Sequence, residues 1–219
     1  LARRLHSMIE QDGAGLKSLI FSSDKLADDR AAFDRRALKP DEIAPGESVD
    51  PYSGKARYWS RFRLDEQATH GVRIFALQRK TPDPLACKPA KAGAMTGLDH
   101  VVINTPNPDR ATALYGARLG LRLALDRSNP DWDMRLMFFR TGDLTVELAH
   151  KISAGAGNQQ DTLWGLTLKT ADLQAAHAHA VPLQALDHLR PGLRHQIGAG
   201  RIDHEVLDAA LVAGNLLFP

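Results

Sequence analysis

Gly97-Leu98-Asp99-His100-Val101-Val102-Ile103-Asn104 opens the stretch that decides the fold, and Leu144-Thr145-Val146-Glu147-Leu148-Ala149-His150 closes it. The opening run is apolar and β-branched, which predicts a strand over 98–104. Asn107-Pro108-Asp109 follows. This is an N-cap side chain, a residue with φ preset for the first helical position, and an acid at the positive helix end. The helix predicted from there to about Leu119 buries Ala111, Leu114 and Tyr115, and Gly120 can take the left-handed position that ends it. Strands are expected over 121–126, 135–140 and 144–150, the last two joined by a tight Thr141-Gly142-Asp143 connection. The order is β-α-β-β-β.

Outward from this stretch the same opening recurs. Leu163 to Leu168 reads as a strand and Asp172 to about Ala180 as an alanine-rich helix. Toward the N-terminus, residues 1–11 read as helix and Leu16 to Phe21 as a strand. A helix follows from about Lys25 to Ala37, with Ser23 or Asp24 as its cap. Leu38 to Gly54, rich in Pro, Asp, Glu and Gly, reads as loop. Arg57 to Leu64 and Val72 to Leu77 read as two antiparallel strands. Three strand-then-helix openings predict a modular α+β fold of repeated βαβββ units. The expected organisation is one module over 1–80, a Pro- and Lys-rich linker over 81–94, and a second domain over 95–219. That domain holds modules at 97–151 and 162–219, the last degenerate beyond Leu189.

The chain has 219 residues, 43% hydrophobic and 25% charged, enough for one or two domains with a buried core. Its formal net charge is +2 and its basic residues fall in scattered pairs, such as Arg35-Arg36 and Arg79-Lys80, so no nucleic-acid partner is expected. The single cysteine, Cys87, cannot form an internal disulfide, and no apolar run is long enough for a membrane span. The expected location is cytoplasmic, with no membrane association.

The Gly97–Lys151 stretch resembles a module of the vicinal-oxygen-chelate superfamily, which holds glyoxalase I, extradiol dioxygenases and bleomycin-resistance proteins. The resemblance rests on Gly97 to Ile103, on Asn107-Pro108-Asp109-Arg110, on Tyr115 and Leu119-Gly120-Leu121, and on the closing strand Leu144 to Leu148. It is weaker over Leu163–Ala180 and weaker again over Gly15–Lys80. It implies paired modules curved around a central cavity. It also implies a metal held by the first and last strands: His100 at the first-strand position and Glu147 at the last-strand position. Zn, Ni, Fe or Mn would suit that ligand pair. A second histidine is implied on the first strand of the next module, where Gly165 stands instead.

Strand alternation places His100 with Leu98 and Val102 and puts Asp99, Val101 and Ile103 on the other face. Thr145, Glu147 and Ala149 share a face on the closing strand. For His100 and Glu147 a hydrogen-bonded, cavity-lining role stands beside the ligand role. His150 is expected at the surface. His177 and His179 do not share a helix face and are expected in solvent. His204 and Glu205 carry little weight. Trp132 is expected to pack locally, and Tyr58, Trp59 and Phe62 to lie in the core or on a sheet face. Arg57, Arg61 and Arg63 alternate on one strand face, either lining a cavity for an anion or simply solvated.

Two functions are expected from different classes. The first is a metal-assisted lyase or isomerase resembling glyoxalase I, with His100 as ligand and Glu147 as ligand or catalytic base; a dioxygenase fits less well. The second is a metal-free protein that binds a small molecule in the same cavity. Three modules leave one without a partner, so the chain is also expected to be an incomplete unit that lacks an N-terminal module, with exposed apolar surface on the first unit and either self-association as a homo-oligomer to cover it or poor solubility.

Overall fold

The computed structural model describes residues 15–50, 53–81 and 94–178, together with Ser7, Glu10 and Gly13. All of the expected linker except Thr81 and Ala94 lies outside these residues, as do the degenerate segment beyond Leu189, His179, His204, Glu205 and most of the expected N-terminal helix.

Two mixed sheets form the frame. The first holds β1 (Leu19–Ser22), β2 (Ala44–Val49), β3 (Ala56–Arg63) and β4 (Ile74–Arg79), in the order β1-β4-β3-β2, with helix α1 (Leu26–Arg35) after β1. The second holds β5 (Met95–Asn104), β6 (Arg122–Asn129), β7 (Met134–Thr141), β8 (Leu144–Lys151) and β9 (Thr162–Thr170), in the order β6-β7-β8-β5-β9. Helix α2 (Pro108–Thr112) follows β5 and continues as π-helical turns over Ala113–Arg118. The two sheets repeat one connectivity: a first strand parallel to the fourth, then an antiparallel meander. This is the α+β architecture of βαβββ units expected from the sequence. β9 extends the second sheet by pairing antiparallel with β5.

Local chemistry explains the elements. The Asn107 side chain accepts from the Arg110 N–H, Pro108 sits at the start, and Gly120 ends the helix at φ +80°. Beneath that helix, Ala111, Leu114 and Tyr115 pack on Val101, Ile103, Met137, Phe139, Val146 and Leu148, all buried. In the first sheet Phe62 and Ala76 meet Phe33 and Leu26 of α1. Each sheet thus has one face closed by a helix and, among the described residues, one face without one.

The structure corrects three readings. Residues 44–49 form strand β2, not loop. Pro45 and Gly46 read as breakers, yet β2 lies at a sheet edge, where alternate N–H groups face away from the sheet and a proline is tolerated. His150 is buried rather than at the surface, and its Nδ1 lies 3.0 Å from the Thr105 carbonyl. Its face is the one closed by α2. Trp132 ends a short 3-10 turn and is 63% exposed, so it has little local packing.

The two sheets are joined through Arg118, which donates to the main-chain oxygens of Arg36, Ala37 and Ala68. One planar guanidinium satisfies three carbonyls that the first unit's turns leave unpaired.

Candidate functional site

β5 runs parallel to β8 with His100 opposite Thr145 and Val102 opposite Glu147. Paired residues share a face, so His100, Val102, Thr145 and Glu147 all lie on the helix-free side of the second sheet. There His100 Nε2 is 3.0 Å from Glu147 Oε2. Both side chains are largely sheltered, 21% and 12% exposed. The same face carries Phe138 and Arg140 of β7 and Leu125 of β6. Arg140 is held by a 2.9 Å hydrogen bond to Thr145 Oγ1.

β9 completes the surroundings of the imidazole. Thr167 pairs with His100, and its hydroxyl is 2.7 Å from Nε2. Gly165 pairs with Val102, one pleat along on the same face, so the position at which the resemblance implied a second histidine does reach this site but offers no side chain.

Asp99 departs from simple alternation. The β5–β9 register shifts between Leu98 and His100, leaving Asp99 as the extra residue of a bulge. The bulge brings its carboxylate round to His100, with Oδ2 2.9 Å from Nδ1. Lys169 Nζ lies 3.3 Å from the other oxygen. No pattern in the sequence marks a bulge, so this contact was not legible there.

The imidazole therefore sits between two carboxylates. Burial opposes its charged form, but the hydrogen bonds and charges of Glu147 and Asp99 outweigh that and hold its pKa above the ordinary histidine value. The hydrogen bond from His100 lowers the Asp99 pKa, against a smaller opposing effect of burial. The arrangement sets the His100 ring nitrogen against a carboxylate, Glu147, whose Oε1 has no hydrogen bond from the described residues.

A metal would take His100 Nε2 and a Glu147 oxygen. Among the described residues no third histidine, cysteine or carboxylate converges on them. Nε2 is already engaged by Glu147 and Thr167, and Asp99 faces the other nitrogen. A catalytic metal usually takes three protein ligands, so the described residues by themselves do not fit one.

A separate cleft of about 170 Å³ opens between the two units, lined by Glu66, Gln67, His70, Arg110 and residues 158–160. It is not where His100 and Glu147 meet. That pair lies on an open sheet face.

A family model described as a glyoxalase-like domain matches residues 2–120, more than half of the sequence. This chain belongs to that family. A second model, of the glyoxalase/bleomycin resistance protein/dioxygenase superfamily, matches residues 99–181 of the glyoxalase-like chain, which contain His100, Glu147 and Gly165. The vicinal-oxygen-chelate resemblance is thereby shown. Among solved structures, a hypothetical protein from Staphylococcus aureus aligns with a TM-score of 0.54 at 8% identity, over 75% of this chain and 62% of its own. That likeness concerns the fold alone. A halotolerant catechol dioxygenase aligns at TM-score 0.49 and 16% identity, over 79% of this chain and 56% of its own. Methylmalonyl-CoA epimerase from Mycobacterium tuberculosis aligns at TM-score 0.37 and 21% identity, over 44% of this chain and 69% of its own. The search of curated proteins found no match. Among the described residues no helix is long and apolar enough to cross a membrane, which says nothing of β-barrels.

Proposed function

We propose that this glyoxalase-like protein binds a small organic molecule on the helix-free face of its second sheet and moves a proton there, as a lyase or isomerase. The observation that carries this reading is the 3.0 Å contact of His100 Nε2 with Glu147 Oε2 on an open face that also presents Leu125 and Phe138. In this reading Glu147 Oε1 takes a proton from a carbon next to a carbonyl. The imidazolium turns its Nε2–H from Glu147 Oε2 to the oxygen on which charge develops, and the proton returns to the neighbouring carbon, so no net proton is gained or lost. Asp99 holds the ring through Nδ1 and supports its charge.

A second reading keeps a divalent metal, Zn, Ni, Fe or Mn, on His100 and Glu147, the third ligand coming from outside the described residues. A third keeps the face as a metal-free binding site without chemistry. Metal analysis of the purified protein beside its His100→Ala variant separates them. Near-stoichiometric metal that is lost in the variant supports the metal reading and sinks the proton-transfer pair. With metal-free protein, the test is solvent-deuterium exchange into a panel of small 2-hydroxycarbonyl and 2-oxo compounds. Exchange that disappears in Glu147→Gln supports proton transfer, and binding without exchange leaves the pure binding reading.

A further inference from the structure

The helix-free face of the first sheet is chemically distinct from the face just described. Strand register defines it. Arg57, Trp59, Arg61 and Arg63 alternate on β3. Across from them on β4 stand Arg79 opposite Trp59, Leu77 opposite Arg61 and Phe75 opposite Arg63. On β2, Gly46 stands opposite Trp59. All these side chains point away from α1, because Phe62 and Ala76, on the opposite parity, are the ones buried against it.

Trp59 is the centre. Its indole lies over Gly46 so closely that a Cβ at that position would fall 2.3 Å from Nε1. The ring thus covers Gly46 of the neighbouring strand and is half-buried. Arg57 and Arg61 flank it along β3, each about 7 Å away, and Arg79 stands about 5 Å away on β4. Arg61 rests on the Phe75 ring, 5.3 Å from its centroid, which orders the guanidinium while leaving its edge N–H groups free.

The charges on this face are not balanced. Arg63, at one end, is answered by Asp41 at 4.0 Å and Glu66 at 3.2 Å. Arg57, Arg61 and Arg79 have no carboxylate partner among the described residues, although the whole chain is near neutral at +2. Three unanswered guanidiniums around one half-buried indole suit a flat ring carrying an anionic group. The cluster spans only about 14 Å along the strand and stops at the Asp41 and Glu66 carboxylates. That is the scale of a small molecule rather than of a nucleic-acid track.

We infer that this face is a binding site for a small aromatic anion, an aryl phosphate or aryl carboxylate. The ring would stack on Trp59 and the anion would be taken by Arg57, Arg61 and Arg79. The inference is independent of the His100–Glu147 reading. Calorimetric titration of the full chain with phenyl phosphate tests it, with inorganic phosphate, benzyl alcohol and a single-stranded oligonucleotide as comparison probes. Phenyl phosphate is expected to bind once per chain, at least about tenfold more tightly than either inorganic phosphate or benzyl alcohol. Arg61→Gln should weaken it about tenfold, and the Arg57→Gln/Arg61→Gln/Arg79→Gln variant more than that. Arg61→Lys, which keeps the charge, should lose less than Arg61→Gln, and His100→Ala should change nothing. Circular dichroism matching the wild type establishes that each variant is folded. Undiminished binding in the triple variant overturns the proposal, as does equal binding of inorganic phosphate, loss of binding in His100→Ala, no binding of phenyl phosphate, or oligonucleotide affinity that grows with length.

Discussion

Arg110 Nη2 lies 2.7 Å from Asp161 Oδ1, and the Asp161 side chain is wholly buried where the loop before β9 meets the start of α2. The carboxylate also accepts from the Thr105 hydroxyl at 2.8 Å, and the Asp161 N–H donates to the His70 carbonyl of the first unit. One buried anion therefore ties β5, α2, the loop before β9 and the turn over 65–71 together.

Removing its cation should be costly. Arg110→Met leaves a buried carboxylate with one hydroxyl partner, and is expected to destabilise the chain by about 2–3 kcal/mol, less than the roughly 3–5 kcal/mol of fully buried pairs because Arg110 is partly exposed. Adding Asp161→Asn to that variant should recover part of the loss, since the uncompensated charge then disappears. Urea unfolding of the three proteins reads this. A single-variant loss below about 0.5 kcal/mol would show that the pair is not the tie described.

The same junction should respond to acid. Burial lowers the His70 pKa below its ordinary 6.5, Arg110 and Arg118 lower it further, and Asp161 opposes them. Glu66, beside it in the cleft, is held by Arg63 and Arg73. A lowered histidine pKa means that the unfolded chain takes the proton first. This contribution to stability is present above pH 6.5 and is lost as the pH falls from there through the folded value. His70 has φ +56°, a conformation that asparagine adopts more readily than other non-glycine residues, so His70→Asn removes the imidazole with little backbone strain. The urea midpoint of the wild type should fall more between pH 7.5 and 5.5 than that of His70→Asn. Equal falls would remove His70 from the account.

Tyr115, in the π-helical turns after α2, is fully buried, and its hydroxyl has no hydrogen-bond partner among the described residues. Burial, with the nearby Asp161 charge, pushes its pKa well up, so it stays protonated. Tyr115→Phe keeps the ring against Phe139, 6.2 Å between centroids, and removes only the unsatisfied group. The variant should be neutral to about 1 kcal/mol more stable. A loss greater than about 1 kcal/mol by thermal or urea unfolding would mean that the hydroxyl has a partner, such as a buried water.

Gly46 has an ordinary negative φ, so its requirement is space rather than backbone freedom. Gly46→Ala places a methyl group 2.3 Å from Trp59 Nε1 and must shift the indole or the edge strand. A cost of about 1–3 kcal/mol is expected, with a change in tryptophan emission. Unchanged stability and emission would show that Trp59 is not fixed by Gly46.

By itself the sequence determined the βαβββ order, the capped helix after Asn107 and the glycine that ends it, because each rests on local chemistry within a few residues. It also named His100 and Glu147, through a resemblance carried by the two strands that hold them. The tertiary structure alone decided what these residues touch. Strand β2 forms because β3 accepts it at an edge, which no local propensity announces. His150 is buried because a distant helix closes its face. Asp99 reaches His100 because β9 pairs with β5 one residue out of step. The alternation of Arg57, Arg61 and Arg63 was readable on one strand. That Arg79 joins two of them around Trp59, while Asp41 and Glu66 answer the third, follows from register across three strands and the turns beside them. Register is set by packing on the helix-covered face, so a single strand's sequence does not contain it.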